Sequence, residues 1–233
     1  MIPLLLNNLA PMLFGAQLIL TLVLVKGDIC PGQRGRIHKL FPALSILWLA
    51  VASLKIEAFM IVFALFYFYS KVQTGKTREK GPLWLLHLAN GLAFSYLMIQ
   101  AFEQSSFAAS IATLLLSVFI GGLFAQLLLT VARSRLQAFN KILPVAGVIG
   151  AMGLVLALMA VMYRLDEAVI AQQTHSIIAL FLLLILAIVA WCWHMLTHKA
   201  ATKLQLGIAL FLALFASTGI QFLFQLTGAL NAA

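Results

Sequence analysis

The chain has 233 residues, of which 64% are apolar and 9% charged, and its formal net charge is +9. So little charge excludes a soluble globular domain, whose surface has to be clothed in charged and polar groups. Apolar runs of about 20 residues recur along nearly the whole length, the signature of helices spanning ~30 Å of hydrocarbon and not of the short alternating segments of a β-barrel.

The longest polar stretch, residues 26–39, is too short to bury a core of its own. One transmembrane helical domain is therefore expected over residues 1–233. Lys and Arg in the loops of such a chain record orientation, so the basic excess does not imply a nucleic-acid partner. Met1 to Leu6 carry no basic flank and no small-residue cleavage site follows, which reads as a retained helix and not a signal peptide. No lipidation motif is visible. Cys30 falls in a loop and Cys192 inside an apolar helix, so no disulfide is expected, and no Cys-x-x-Cys occurs.

In chain order, the first predicted helix runs from Pro3 to Val25, followed by a polar loop with Lys26, Arg34, Arg36 and Lys39. Leu40 to Ser70 is apolar except at Lys55 and Glu57. The next basic loop holds Lys71, Lys76, Arg78 and Lys80. A helix opens at Pro82, a good first-turn residue, and runs to Phe102. After a turn at Glu103 to Ser106 come Phe107 to Val131, then a loop marked by Arg133, Arg135 and Lys141. Ile142 to Met162 precede Arg164, Asp166 and Glu167, and Ile177 to Leu196 precede Lys199 and Lys203. Leu204 to Gly228 close the series.

Leu40 to Ser70 admits two readings. A single helix puts Lys55 and Glu57 near the bilayer centre, pointing to opposite sides and unable to neutralise each other. A hairpin puts them at the turn, with arms of ~22 Å at 1.5 Å per residue, shorter than the hydrocarbon core. The positive-inside rule separates the two. The hairpin gathers thirteen of the fifteen Lys and Arg on one side, leaving Lys55 and Arg164 with Glu57, Glu103, Asp166 and Glu167 on the other. The sequence therefore predicts an all-α polytopic membrane protein of about eight helices, seven being the alternative. A bacterial-type inner membrane with both termini outside is expected. Phe66 to Tyr69, Trp84, Trp191 and Trp193 fall near the predicted cytoplasmic ends, where such rings favour the headgroup layer.

A faint duplication links halves 1–105 and 106–233. His38 to Ala43 echo Asn140 to Val145, and Ile99 and Gln100 with Gln104 echo Ile220 and Gln221 with Gln225, though at unequal spacings. A four-plus-four parallel repeat suits a transporter. Thr113, Ser117, Gly121 and Ala125, with Gly147, Gly150 and Gly153 on the next helix, form small-residue ladders that let helix backbones approach closely.

No nucleotide or hydrolase motif is present, since Gly32 to Gly35 and Gly75 to Thr77 lack the P-loop spacing. All six acids lie in loops or turns, so nucleophile–His–carboxylate catalysis is poorly supplied and an enzyme is not expected. His194 and His198 share a helix face beside Cys192 and Met195, a weak metal or haem pair that reads better as an interfacial anchor; no cofactor is expected.

Uncharged polarity inside the helices is the more informative signal. His87, Asn90, Gly91, Ser95 and Met98 lie broadly on one side of their helix, with Gln100 a turn further on. Thr218, Gln221 and Gln225 form a stripe beside Ser217, and Gln17 and Gln126 add amides elsewhere. Hydrocarbon penalises exposed amides, so these groups should face the bundle interior, either bonding neighbouring helices or lining a cavity for a small neutral solute or lipid headgroup. Two functions follow: a small transporter or flippase, or a non-catalytic subunit or assembly factor of a larger membrane complex. The expected partners are membrane lipid and other membrane proteins. In a cysteine-free background, thiol labelling of intact cells should find Arg78→Cys and Arg133→Cys on one face and Glu103→Cys on the other. Arg78 and Arg133 on opposite faces would remove the topology.

Overall fold

A computed structural model describes residues 2–74, 81–133, 137–163, 165 and 167–232. Among these there are helices and no strands: α1 (Ile2–Lys26), α2 (Pro31–His38), α3 (Phe41–Ala52), a 3-10 turn (Ile56–Ala58), α4 (Phe59–Thr74), α5 (Leu83–Phe102), α6 (Phe107–Val131), α7 (Gln137–Met162), α8 (Glu167–Leu196) and α9 (Lys203–Ala232). Within the described residues six helices, α1 and α5 to α9, are long and apolar enough to cross a membrane. Gly75, Lys76, Thr77, Arg78 and Lys80 of the second basic loop, together with Arg135, Arg164 and Asp166, lie outside the described residues.

Leu40 to Ser70 forms the hairpin and not one long helix. Its arms, α3 with 12 residues and α4 with 16, are about 18 and 24 Å long at 1.5 Å per residue. The break falls at Lys55, whose backbone is extended at φ −140° and ψ 116°. There the Lys55 ammonium pairs with the Glu103 carboxylate at the end of α5. Both partners are substantially exposed, so the pair adds little stability, but it lets the cation leave the hydrocarbon and fixes the turn against α5.

The first basic loop is not all loop. Pro31 opens α2 from an extended Cys30, and the helix is pinned by Ile37 and His38, both buried. The His38 ring meets Phe68 edge-on at 5.6 Å. Burial first, and the charge of Arg34 second, lower its pKa from 6.5 to about 4. The fold thus holds this ring neutral, and the stabilising term is present above pH 6.5 and is lost as pH falls towards 4.

Three other helices outrun the apolar segments that predicted them. α7 begins at Gln137 instead of Ile142, α8 at Glu167 instead of Ile177, and α9 continues to Ala232. A helix need not stop where hydrocarbon stops: Gln172, Thr174, His175 and Ser176 are exposed on the extra turns of α8, and Glu167 suits the positive end of the helix dipole.

The architecture is organised around α1 and α6, which pack along each other. α1 is flanked by α3 and α5, and α6 by α7 and α9; α4 bridges α3 and α5, while α8 lies mainly against α9. A Cβ on Gly15 would sit 2.0 Å from the Ser117 carbonyl oxygen, and one on Gly121 would sit 2.8 Å from the Gly15 Cα. The small-residue ladder of α6 therefore takes α1, while Gly150 and Gly153 of α7 take the other side of α6 at Phe119 and Leu115. Gly15→Val should lower the melting temperature of the detergent-purified protein clearly, by a strain of about 1–3 kcal/mol. Gly32→Ala, where nothing lies within 4 Å, should leave it unchanged.

Candidate functional site

A polar group inside a membrane bundle has no water to turn to, so its partner must come from another side chain or a helix carbonyl. Gln17 on α1 is fully buried. Its Oε1 accepts from Trp48 Nε1 on α3 at 2.9 Å, and its Nε2 donates to Asn90 Oδ1 on α5 at 2.9 Å. One amide thus ties three helices together.

Gln126 on α6 does comparable work in the second half. Its Oε1 accepts from Trp191 Nε1 on α8 at 2.7 Å, and its Nε2 lies 3.4 Å from His194 Nε2. His194 Nδ1 is 2.8 Å from the Trp191 carbonyl and Nε2 is 3.0 Å from the Asn140 carbonyl at the start of α7. With the proton on Nδ1 the ring donates to Trp191 and accepts from the Gln126 amide; with the proton on Nε2 it binds Asn140 instead.

Two sequence expectations fail here. Trp191 is not a headgroup anchor but fully buried, because Gly147 leaves a slot in which a Cβ would lie 2.0 Å from the indole ring. His194 is not an exposed interfacial residue either: it is 6% exposed, since α7 begins early enough to bring the Asn140 carbonyl over it. Trp84, Trp193 and His198 are exposed, as headgroup-level residues should be. His198 adopts a left-handed backbone, φ 54°, just past the end of α8.

A second polar group lies nearer the Lys55–Glu103 end. Asn8 on α1 donates from Nδ2 to Thr218 Oγ1 on α9 at 2.9 Å, and Gln100 Nε2 on α5 donates to the Asn7 carbonyl at 2.8 Å. Thr218 passes its own proton to the Leu214 carbonyl at 2.7 Å. Three buried atoms here find no partner among the described residues: Asn8 Oδ1, Gln100 Oε1 and Ser217 Oγ. Gln221, one turn along α9 from Ser217 and Thr218, is also buried.

The predicted residues therefore divide among four settings. Gln100, Thr218 and Gln221 are buried on helices that meet α1, at the end of the bundle opposite Asn140 and His194. Asn90 belongs to the Gln17 cluster, and Gln126 to the Trp191 cluster. His87, Ser95 and Gln225 are exposed. On α5 the inner face carries Asn90, Ala93, Leu97 and Gln100, while His87, Gly91 and Ser95 lie further round the helix. No group of three or more His, Cys, Asp or Glu placed to hold a metal ion occurs among the described residues.

Asn8, Trp48 and the role of Trp191 were missed. One signal was available for the two glutamine clusters: Ala16 to Thr21 reads Ala-Gln-Leu-Ile-Leu-Thr, and Ala125 to Thr130 reads Ala-Gln-Leu-Leu-Leu-Thr. In both copies the threonine hydroxyl donates to the glutamine carbonyl at 2.8 Å.

The long helices, the interior amides and the scarcity of charge define an integral membrane protein with several spans. Residues 4–218 match the family described as an integral membrane domain, and the chain belongs to that family. A protein of Haemophilus influenzae, itself uncharacterised, is 31% identical over 179 residues, which is 71% of this chain and 66% of that protein. The chain thus spans just under two thirds of that relative's length. No solved structure matches it.

Gln126→Leu leaves the Trp191 N–H buried and unpaired, a loss of about 1–3 kcal/mol. It should lower the melting temperature of the purified protein by several degrees and alter its tryptophan emission. Gln225→Leu, on an exposed face, should do neither; equal melting temperatures for the two variants would contradict the cluster's role.

Proposed function

We propose that the protein is a small membrane transporter that passes a neutral solute bearing N–H or O–H donors. The observation that carries this reading is the polar group of Asn8, Gln100 and Ser217, each with a buried polar atom left without a partner among the described residues. Leaving such an atom unpaired costs about 1–3 kcal/mol. Each of the two amide oxygens and the hydroxyl can accept a hydrogen bond, and a solute that supplies a missing one recovers that cost on binding. None of these groups carries charge, which fits a neutral cargo and facilitated movement in place of ion-coupled pumping.

The internal pattern supports the same reading. We take residues 1–105 and 106–233 as related halves: α1 and α6 carry the repeated glutamine segment, lie at the centre, and take matching flanking helices. The tryptophans come from non-equivalent helices, α3 and α8, so the halves have diverged in how they close their clusters. Two bundles meeting at a central pair of helices can rock about that contact, which is how parallel repeats alternate access. On the positive-inside rule the polar group then faces the outer leaflet of a bacterial-type inner membrane.

A second reading, a non-catalytic subunit or assembly factor of a membrane complex, is favoured by α8. Only 17% of its most apolar window is buried, against 44% to 72% in the other five long helices. Ile178, Leu182, Leu186, Val189 and Trp193 form an exposed stripe along it. Purification in mild detergent tests it, since a complex subunit must bring down a stoichiometric partner.

The transport reading is tested in proteoliposomes by the swelling rate on adding glycerol or urea. The protein should speed entry of one such solute over empty vesicles. Asn8→Leu with Gln100→Leu should abolish the effect, and Gln225→Leu should preserve it. Entry no faster than through lipid, or an unchanged rate in a folded double variant, would end the proposal.

A further inference from the structure

α7 and α8 pack only lightly against each other, and a seam runs between them. At its basic end the seam opens into a cavity of about 510 Å³ lined by Asn140, Lys141, His198 and Lys199, with His194 behind them. Among the described residues no carboxylate lines this cavity. Further along, Met152, Val155, Phe181, Leu184 and Ile188 line an apolar groove of about 360 Å³.

Helical register joins the two. Lys141, Val148, Met152, Val155 and Met159 recur at seven, four, three and four residues on one face of α7. Phe181, Leu184, Ile188 and Met195 share one face of α8, and Lys199, past the turn that ends the helix, lines the cavity beside Met195. Between cavity and groove, Gly147 admits the buried Trp191 ring and closes the floor on the inner side.

We propose that this seam binds one anionic phospholipid, its phosphate held between Lys141 and Lys199 and an acyl chain lying in the groove. The dimensions agree: Lys141 and Val155 are separated by about 21 Å of helix, which is one hydrocarbon leaflet of about 15 Å plus the step into the headgroup layer. Charge selects the occupant. Two ammonium groups with no acid among the described lining residues favour a lipid with net negative charge over a zwitterionic one, as basic pockets between transmembrane helices do for anionic headgroups. A polar head and an apolar tail in register also exclude a simple inorganic anion, for which the groove has no use. The site lies on a different surface from the Asn8 group, so this proposal and the transport reading fail separately.

The test uses the full chain, stripped of lipid in detergent and titrated with dioleoylphosphatidylglycerol or dioleoylphosphatidylcholine, with adducts counted by native mass spectrometry. Phosphatidylglycerol should bind one to one and phosphatidylcholine at least about tenfold more weakly. Lys141→Gln with Lys199→Gln should weaken phosphatidylglycerol about thirty-fold, whereas Lys141→Arg with Lys199→Arg should preserve it. Val155→Trp fills the groove without touching the charges and should weaken it too; Ile188→Trp serves if that variant does not fold. Equal binding of the two lipids overturns the proposal, as does unchanged affinity in the double glutamine variant or in a folded groove variant. Inorganic phosphate binding at the same lysines without a lipid adduct, or a protein seated across the seam, overturns it as well.

Discussion

Backbone contact between α1 and α6 at Gly15 and Gly121 is the constraint from which the rest of the bundle follows. Lipid and protein interior are equally apolar, so nothing pushes two such helices together as water would; close packing must hold them. With the pair fixed, each helix turns its glutamine outward into its own set of neighbours. Gln17 gathers α3 and α5, and Gln126 gathers α8 through Trp191. The central contact supplies proximity, and the amides supply direction.

Every buried amide in this chain has to be answered for, because water is not available to take up the slack. The Gln17 and Gln126 clusters are answered within the protein. Asn8 and Gln100 are answered only in part, and the Ser217 hydroxyl finds no partner among the described residues. The surface shows the same economy: Lys55 escapes the hydrocarbon by breaking a helix, whereas Lys141 and Lys199 stay at the basic end and frame an open cavity.

The hairpin at Leu40 to Ser70 was legible because burying Lys55 and Glu57 is expensive in any fold, so counting charges on each side was enough to find the turn. The α6 limits, Phe107–Val131, were legible because a polar turn at Glu103 to Ser106 and the basic loop from Arg133 bound the apolar run; in the structure Ser106 also caps the helix by accepting from the Ala109 N–H. The starts of α7 and α8 were not, because polar turns continue a helix into the headgroup layer without an apolar signal. The burial of Trp191 and His194 is not legible in the sequence because position along a helix does not fix depth of burial, and the Gly147 slot that receives the indole lies on another helix.

Hydrocarbon as solvent explains the division. The sequence alone determined that the chain is helical and crosses the membrane repeatedly, because length, apolarity and the cost of buried charge act on each segment separately. Only the tertiary structure decided which way each helix faces. In a helix such as α6, apolar around its whole circumference, hydrophobicity does not mark an inner side. The pairing of Gln17 with Trp48, the burial of Trp191 and the meeting of Asn8 with Thr218 were therefore set by how the helices rotate against one another to fit small residues and satisfy amides.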